Sequence, residues 1–297
     1  MTGDAAEDRT TLARRRWRTF AWTSFAGLLA AIVFVGFPRI DFAVTDLFYQ
    51  GNRAFVLNFP GAGKDLRVFL RLIFLAATIV ALLGFVLAAF YKRGFLSLGF
   101  PQWLYVLLCL AIGPGIVANV VLKDHWGRAR PFHVQEYGGG QTFTPALVRS
   151  DQCEDNCSFV SGEASSIFML FFALAPLARR RHARLIALGI LGGLLAGFIR
   201  IAQGGHFLSD VVFAGVFMAL IAEGLHWLVF GLGARALEDE GPVHRALFDA
   251  GRGTSRAVHH AASWASGALR GLLAKRAGTA ASQTGDASVQ VGGRENE

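Results

Sequence analysis

Three short stretches, far apart in the chain, set cations, a histidine and carboxylates at the edge of a long apolar run. They are Lys123 to Pro131 (KDHWGRARP), Ser158 to Glu163 (SFVSGE) and Arg200 to Asp210 (RIAQGGHFLSD). An ionisable side chain costs roughly 2.5 to 3.5 kcal/mol at the centre of a membrane helix, so a set of them at one depth needs a reason. Lys123, Arg130 and Arg200 suit the non-bridging oxygens of a phosphate, the arginines through their two-pronged guanidinium. His206 and Asp210 are four residues apart, a spacing that shares one face of a helix. Asp210, or a carboxylate from elsewhere, would orient the imidazole. Ser161 and Gly162, at the start of an apolar run, would add a hydroxyl and backbone N–H groups aimed at the same anion. Such a set reads as one site for an anionic lipid head group.

The elements that carry these residues are apolar. The chain has 297 residues, 53% of them hydrophobic and 17% charged, with a mean hydropathy of +0.43, which is the balance of an all-α polytopic membrane protein rather than a soluble domain. Six stretches are long and poor in charge: Thr19 to Phe37, Leu72 to Phe90, Trp103 to Leu122, Val160 to Ala178, Leu185 to Ile201 and Phe207 to Phe230. They predict a bundle of six transmembrane helices. An even number places both termini on one side. The net charge of +8 does not form a surface for nucleic acid, because the basic residues sit at segment ends. Arg14, Arg15, Arg16 and Arg18 precede the first segment, Lys92 and Arg93 follow the second, and Arg179, Arg180, Arg181 and Arg184 separate the fourth and fifth. The positive-inside rule makes these positions cytoplasmic. Arg39, Arg53, Lys64, Arg67 and Arg71 run against that rule in the first outer loop, where Asp41, Asp46 and Asp65 accompany them. With the N-terminus inside, all three charged stretches fall on the outer face. A transporter would need polar residues along the middle of several segments, and Asn119, near a segment end, is the main exception to their apolar character.

The organisation expected is a cytoplasmic tail over 1–18, a membrane domain over 19–231, a basic amphipathic segment over 232–276 and a disordered tail over 277–297. The first apolar run is long and no small-residue cleavage pattern follows it before Pro38, so it is expected to stay as a helix rather than act as a signal peptide. The loop from Pro38 to Arg71 mixes aromatic and charged residues and is expected to lie on the outer surface as a lid. Cys109 lies inside the third segment, whereas Cys153 and Cys157 share an outer loop, where an oxidising compartment would permit a disulfide.

Lys123 and Arg130–Pro131, Ser161–Gly162, and Arg200, His206 and Asp210 together resemble the three-part signature of the type 2 phosphatidic acid phosphatase family of membrane lipid phosphatases. The resemblance covers roughly residues 20 to 230. The soluble vanadium haloperoxidases share the motifs, but six membrane segments argue against that branch. The resemblance implies a helical bundle with its site near the outer face, no metal and no other cofactor, and a phosphorylated membrane lipid as partner. It implies that His206 attacks phosphorus to give a phosphohistidine while Asp210 keeps its other nitrogen protonated. The chain departs from the family in the second motif, where Pro-Ser-Gly-His is replaced by Val160, Ser161, Gly162 and Glu163. The histidine that protonates the departing alcohol is therefore missing, a contribution of about 10² to 10⁴ in rate. Either Glu163 is the acid, or His125 supplies the proton, or the leaving group needs little help, or the chain binds its lipid without turning it over. Arg128 is either a further head-group contact or a partner of Glu163. The GRARP form of the first motif and the aromatic outer loop resemble bacterial lipid A phosphatases, which implies lipid A, at its 1- or 4'-phosphate, in a bacterial inner membrane with the site facing the periplasm. Undecaprenyl diphosphate and phosphatidylglycerol phosphate are the alternative substrates.

Overall fold

The computed structural model describes residues 2–57, 62–91 and 94–253. The chain divides into two compact units, Met1–His244 and Arg245–Glu297. In the first, α1 (Thr2–Gly36), α2 (Arg39–Asp46), a small hairpin of β1 (Tyr49–Gly51) and β2 (Ala54–Phe55), α3 (Ala62–Tyr91), α4 (Phe100–Leu110), α5 (Gly162–Leu174), α6 (His182–Ala202), α7 (Leu208–Trp227) and the short α8 (Ala234–Leu237) follow in order. In the second unit residues 245–253 are helical, with the Arg252 guanidinium 5.7 Å from the Phe248 ring centroid. The rest of the expected basic segment and the expected disordered tail lie outside the described residues.

Five described helices are long and apolar enough to cross a membrane: Trp17–Gly36, Arg67–Tyr91, Phe100–Lys123, His182–Ala202 and Leu208–Leu232. Five of the six expected segments thus have a helix of membrane length, and the fourth is shorter than expected. That segment starts at Gly162 and, with a 3₁₀ turn, stops at Leu177, because Pro176 cannot continue the ladder. The run that looked continuous from Val160 to Ala178 is a short helix packed inside the others, against α3, α4, α6 and α7. Three glycines on one face of α6 let the helices approach closely. A Cβ on Gly189 would meet Phe172, one on Gly193 would meet Phe168 and one on Gly197 would meet Val211, the small-residue packing typical of membrane helices. The expected N-terminal tail is continuous with the first segment, since α1 begins at Thr2.

Two helices carry local features that shape the site. After Leu110 the chain continues α4 as a wide π-helical stretch, Ala111–Lys123. Pro114 has no N–H to offer the preceding turn, and Asn119 Nδ2 donates to its carbonyl at 2.7 Å. Helix α7 is capped by its own Asp210, whose Oδ2 accepts the Phe207 N–H at 2.8 Å, a carboxylate at the positive end of the helix dipole.

The expected surface lid is instead part of a second core. Phe55, Val134, Tyr137 and Phe207 are buried together, with Phe42 and Phe143 packed against them. The Leu57 N–H donates to the Ala202 carbonyl at 3.0 Å, which ties the hairpin to the end of α6. Gly204 takes a φ of +68° and faces the Phe55 ring, where any side chain would clash. The Cys153–Cys157 disulfide forms in the loop before α5.

Candidate active site

Lys123 ends the π-helical stretch, Gly162 opens α5, Arg200 stands in the last turn of α6 and His206 lies two residues before α7. Antiparallel packing brings these four ends to the same end of the bundle. The expectation that the three charged stretches meet follows from this geometry.

His206 is fully buried. Its Nδ1–H donates to the Ser158 carbonyl at 2.7 Å, which fixes the tautomer and leaves a lone pair on Nε2. Asp210 Oδ2 is 3.6 Å from Nδ1, so the carboxylate is a second neighbour of that nitrogen and the peptide carbonyl its direct acceptor. Of the two sources of orientation that the sequence left open, Asp210 or a carboxylate from elsewhere, the carboxylate near the ring is Asp210. Burial, reinforced by Arg200 and Arg130 and opposed by Asp210, lowers the His206 pKa to about 4. The imidazole is therefore neutral at pH 7.

Behind Asp210 lies a closed polar network. Asp210 Oδ2 accepts Ser158 Oγ–H at 2.5 Å and Oδ1 accepts Arg128 Nη1–H at 2.5 Å. Arg128 donates further to Ser209 Oγ, to the Thr144 carbonyl and to Asp41 Oδ2, each at 2.8 Å. Its guanidinium stacks 4.7 Å from the Phe207 ring centroid. Asp41 accepts the Ser209 N–H at 2.8 Å and Ser209 Oγ–H at 2.6 Å. Arg128, Asp41 and Asp210 are all 0% exposed. Arg128 is thus neither a head-group contact nor a partner of Glu163; a buried guanidinium needs carboxylates, and two meet it.

In front of Nε2 the arrangement is open. Glu163 Oε2 is 4.0 Å from His206 Nε2 and 3.6 Å from Arg200 Nε. Arg67, from α3, donates through Nε to Glu163 Oε1 at 3.3 Å. Arg200 Nη1 donates to Gln203 Oε1. Lys123 Nζ lies over Gly162, where a Cβ would stand 2.7 Å from it. The Arg130 guanidinium is held by Asn156 of the disulfide loop, through Nε to the carbonyl at 3.0 Å and Nη2 to Oδ1 at 2.8 Å. Burial lowers the Arg130 pKa, opposed by Glu163, and an arginine keeps its charge through such a shift. Of the six buried side-chain nitrogens and oxygens without a hydrogen-bond partner among the described residues, four are Ser161 Oγ, Glu163 Oε2, Arg200 Nε and His206 Nε2. Buried polar groups are ordinarily paired, so four in one place mark a polar ligand's seat. His125 is not among them: it is exposed and its Nδ1 pairs with the Val120 carbonyl of its own helix at 2.8 Å.

Sequence reasoning missed Asp41, Ser158, Asn156 and Arg67. Ser158 and Asn156 act through backbone carbonyls as well as side chains, which residue type does not announce. Asp41 was legible as a charge in an aromatic loop. Arg67 and Arg71 were legible as basic residues on the side that the charge rule disfavours.

A model of the PAP2 superfamily matches residues 102–233. A Lipid A 4'-phosphatase of Francisella tularensis subsp. novicida (strain U112) is 37% identical over 222 residues, 74% of this chain and 93% of the relative. A Lipid A 4'-phosphatase of Rhizobium etli is 32% identical over 248 residues, 72% of this chain and 95% of the relative. A Lipid A 1-phosphatase of the same organism is 33% identical over 146 residues, 48% of this chain and 58% of the relative. No solved structure matches the chain.

Proposed function

The chain belongs to the PAP2 superfamily, and from that premise we propose that it is an integral-membrane phosphatase removing a phosphate from lipid A through a phosphohistidine on His206. The 4' position is favoured, because the relatives matched over nearly their whole length carry that name, whereas the 1-phosphatase is matched over 58%. The observation that carries the reading is Glu163 Oε2 lying 4.0 Å from His206 Nε2 and 3.6 Å from Arg200 Nε, all three atoms buried and without hydrogen-bond partners.

Phosphorus seated there faces a neutral imidazole with its lone pair forward. Lys123, Arg130, Arg200, the Ser161 hydroxyl and the backbone N–H groups opening α5 receive the non-bridging oxygens, where charge must be stabilised throughout transfer. The N–P bond forms as the P–O bond to the sugar breaks. Ser158 and Asp210 take up the positive charge that grows on the ring. Glu163, a carboxylate paired with Arg67 and Arg200 in the free site, meets a like charge when the phosphate binds, and a phosphate monoester arriving as its monoanion brings the one proton that the two then share. That proton goes to the leaving sugar oxygen. Water then attacks the phosphohistidine, with Glu163 accepting its proton, and phosphate leaves. Beyond the substrate these steps use only protein side chains, backbone N–H groups and water, and none of them is routed through a metal.

In this reading the five long helices and the short α5 make six crossings, with both termini in the cytoplasm and the site at the periplasmic edge of a bacterial inner membrane. The Cys153–Cys157 disulfide beside the site fits an oxidising compartment, and the arginine cluster at 179–181 lies at the other end of α5, on the side the charge rule makes cytoplasmic. The test is phosphate release from lipid A in detergent, with chelator present, by the wild type and by His206→Ala. Release that survives the substitution contradicts the reading.

A further inference from the structure

Helix α3 reaches the site from outside residues 102–233, the stretch that the superfamily model matches. It brings Arg67 and Arg71, which stand one turn apart on one face. Arg67 bonds Glu163 while its side chain remains 35% exposed. Arg71 lines a cavity of about 310 Å³ between α3, the π-helical stretch and α5, together with Leu70, Phe74, Asn119, Lys123 and Glu163. Lys123 and Glu163 belong to both the cavity and the phosphate seat, so the two are continuous. Arg71 is also within electrostatic reach of both Lys123 and Arg200.

The charges do not balance with one phosphate. Lys123, Arg130 and Arg200 already match the three non-bridging oxygens of a transferring phosphoryl group. Arg67 and Arg71 raise the cations to five, against at most three negative charges on Glu163 and one phosphate. Like charges gathered at a membrane edge are costly unless an anion joins them. The cavity lining includes the apolar Leu70 and Phe74, as a lipid would require.

We propose that Arg67 and Arg71 form a second anion subsite, which takes a second phosphate carried by the same lipid head group. This rests on the lipid A reading, in which the head group bears phosphates at two positions. The enzyme then recognises a bis-phosphorylated lipid, and the mono-phosphorylated product, having lost one of its two anchors, leaves more readily.

The experiment measures kcat/KM for phosphate release in neutral detergent micelles, from bis-phosphorylated lipid A and from lipid A lacking the 1-phosphate. The wild type, Arg71→Ala, Arg71→Lys and His206→Ala are compared. The expected result is a preference of about tenfold for the bis-phosphorylated lipid, the size of a charge-assisted contact. Arg71→Ala should lose it through KM and Arg71→Lys should keep part of it. Equal use of both lipids by the wild type, or an equal drop on both in Arg71→Ala, overturns the subsite. A second series adds phosphatidylglycerol. A gain that needs that lipid and vanishes in Arg71→Ala would assign the subsite to a neighbouring anionic lipid and overturn the same-molecule source. Release by His206→Ala would instead sink the phosphatase reading itself.

Discussion

The two sides of the His206 ring are built on opposite principles. Behind Nδ1, Ser158, Asp210, Arg128, Ser209 and Asp41 form a chain of hydrogen bonds in which both carboxylates and the guanidinium are fully buried and mutually paired. In front of Nε2, Glu163 Oε2 and Arg200 Nε approach one another without a hydrogen bond, and Ser161 Oγ is likewise buried and unpaired. A saturated network over-determines geometry, and an unsaturated one has capacity left for a ligand. The contrast teaches that the rigid support of the imidazole and the open seat for its substrate lie on opposite sides of one ring, so substitutions on the two sides should fail in different ways.

The largest expected effect is at the rear. Arg128→Ala leaves Asp41 and Asp210 buried without their cation and should cost about 3 to 5 kcal/mol of stability, seen as a loss of folded protein and a lower Tm. If Arg128→Ala melts like the wild type, the rear network does not hold the fold. In front, Glu163→Gln should lower kcat by about 10² to 10⁴, with a far smaller change in Tm. A rate loss matched by an equal loss of stability would erase the distinction between the sides. Asp41→Asn keeps the shape of the rear network and removes one charge. It should cost about 1 to 3 kcal/mol, with the activity of the folded fraction reduced less than in Glu163→Gln, measured by denaturant melts beside kinetics.

The smallest effect is on the pH profile. The reactive form of His206 is neutral and its pKa lies near 4 rather than the ordinary 6.5. The neutral fraction is therefore retained as pH falls from 7 to 5 and is lost below about 4. The histidine's own acid limb in kcat/KM, which reports the free enzyme, should fall there. An acid limb assigned to His206 near 6.5 would mean that the ring is solvated rather than buried.

How much of this was legible before the fold is itself divided along the ring. Lys123, Arg130, Arg200, His206 and Asp210 could be read from spacing, because apolar segments of membrane length force their ends to one of two faces. Glu163 stood out as a departure in a motif otherwise matched. The rear network was not legible: Asp41 pairs with Arg128 across 87 positions and with Ser209 across 168, and no periodicity links them. The loops that make these pairings, 38–57 and 124–161, fold by packing Phe42, Phe55, Tyr137 and Phe207 at long range. Its mixture of aromatic and charged residues suggested a surface lid for the first of them, since such residues look alike in a loop whether they meet lipid or each other. The fourth helix was overestimated for a similar reason, as burial inside a bundle and burial in lipid give the same apolar signal.

The central claim is that Nε2 of His206 bears the phosphoryl group in transit. Rapid mixing of the wild type with lipid A labelled in its 4'-phosphate, followed by quenching in alkali, should trap a protein-bound phosphate that survives alkali and is lost in mild acid, as a phosphoramidate is. The account predicts that the label maps to His206 and is absent from His206→Ala. Labelled lipid that turns over with no such adduct, or an adduct on another residue, would contradict it.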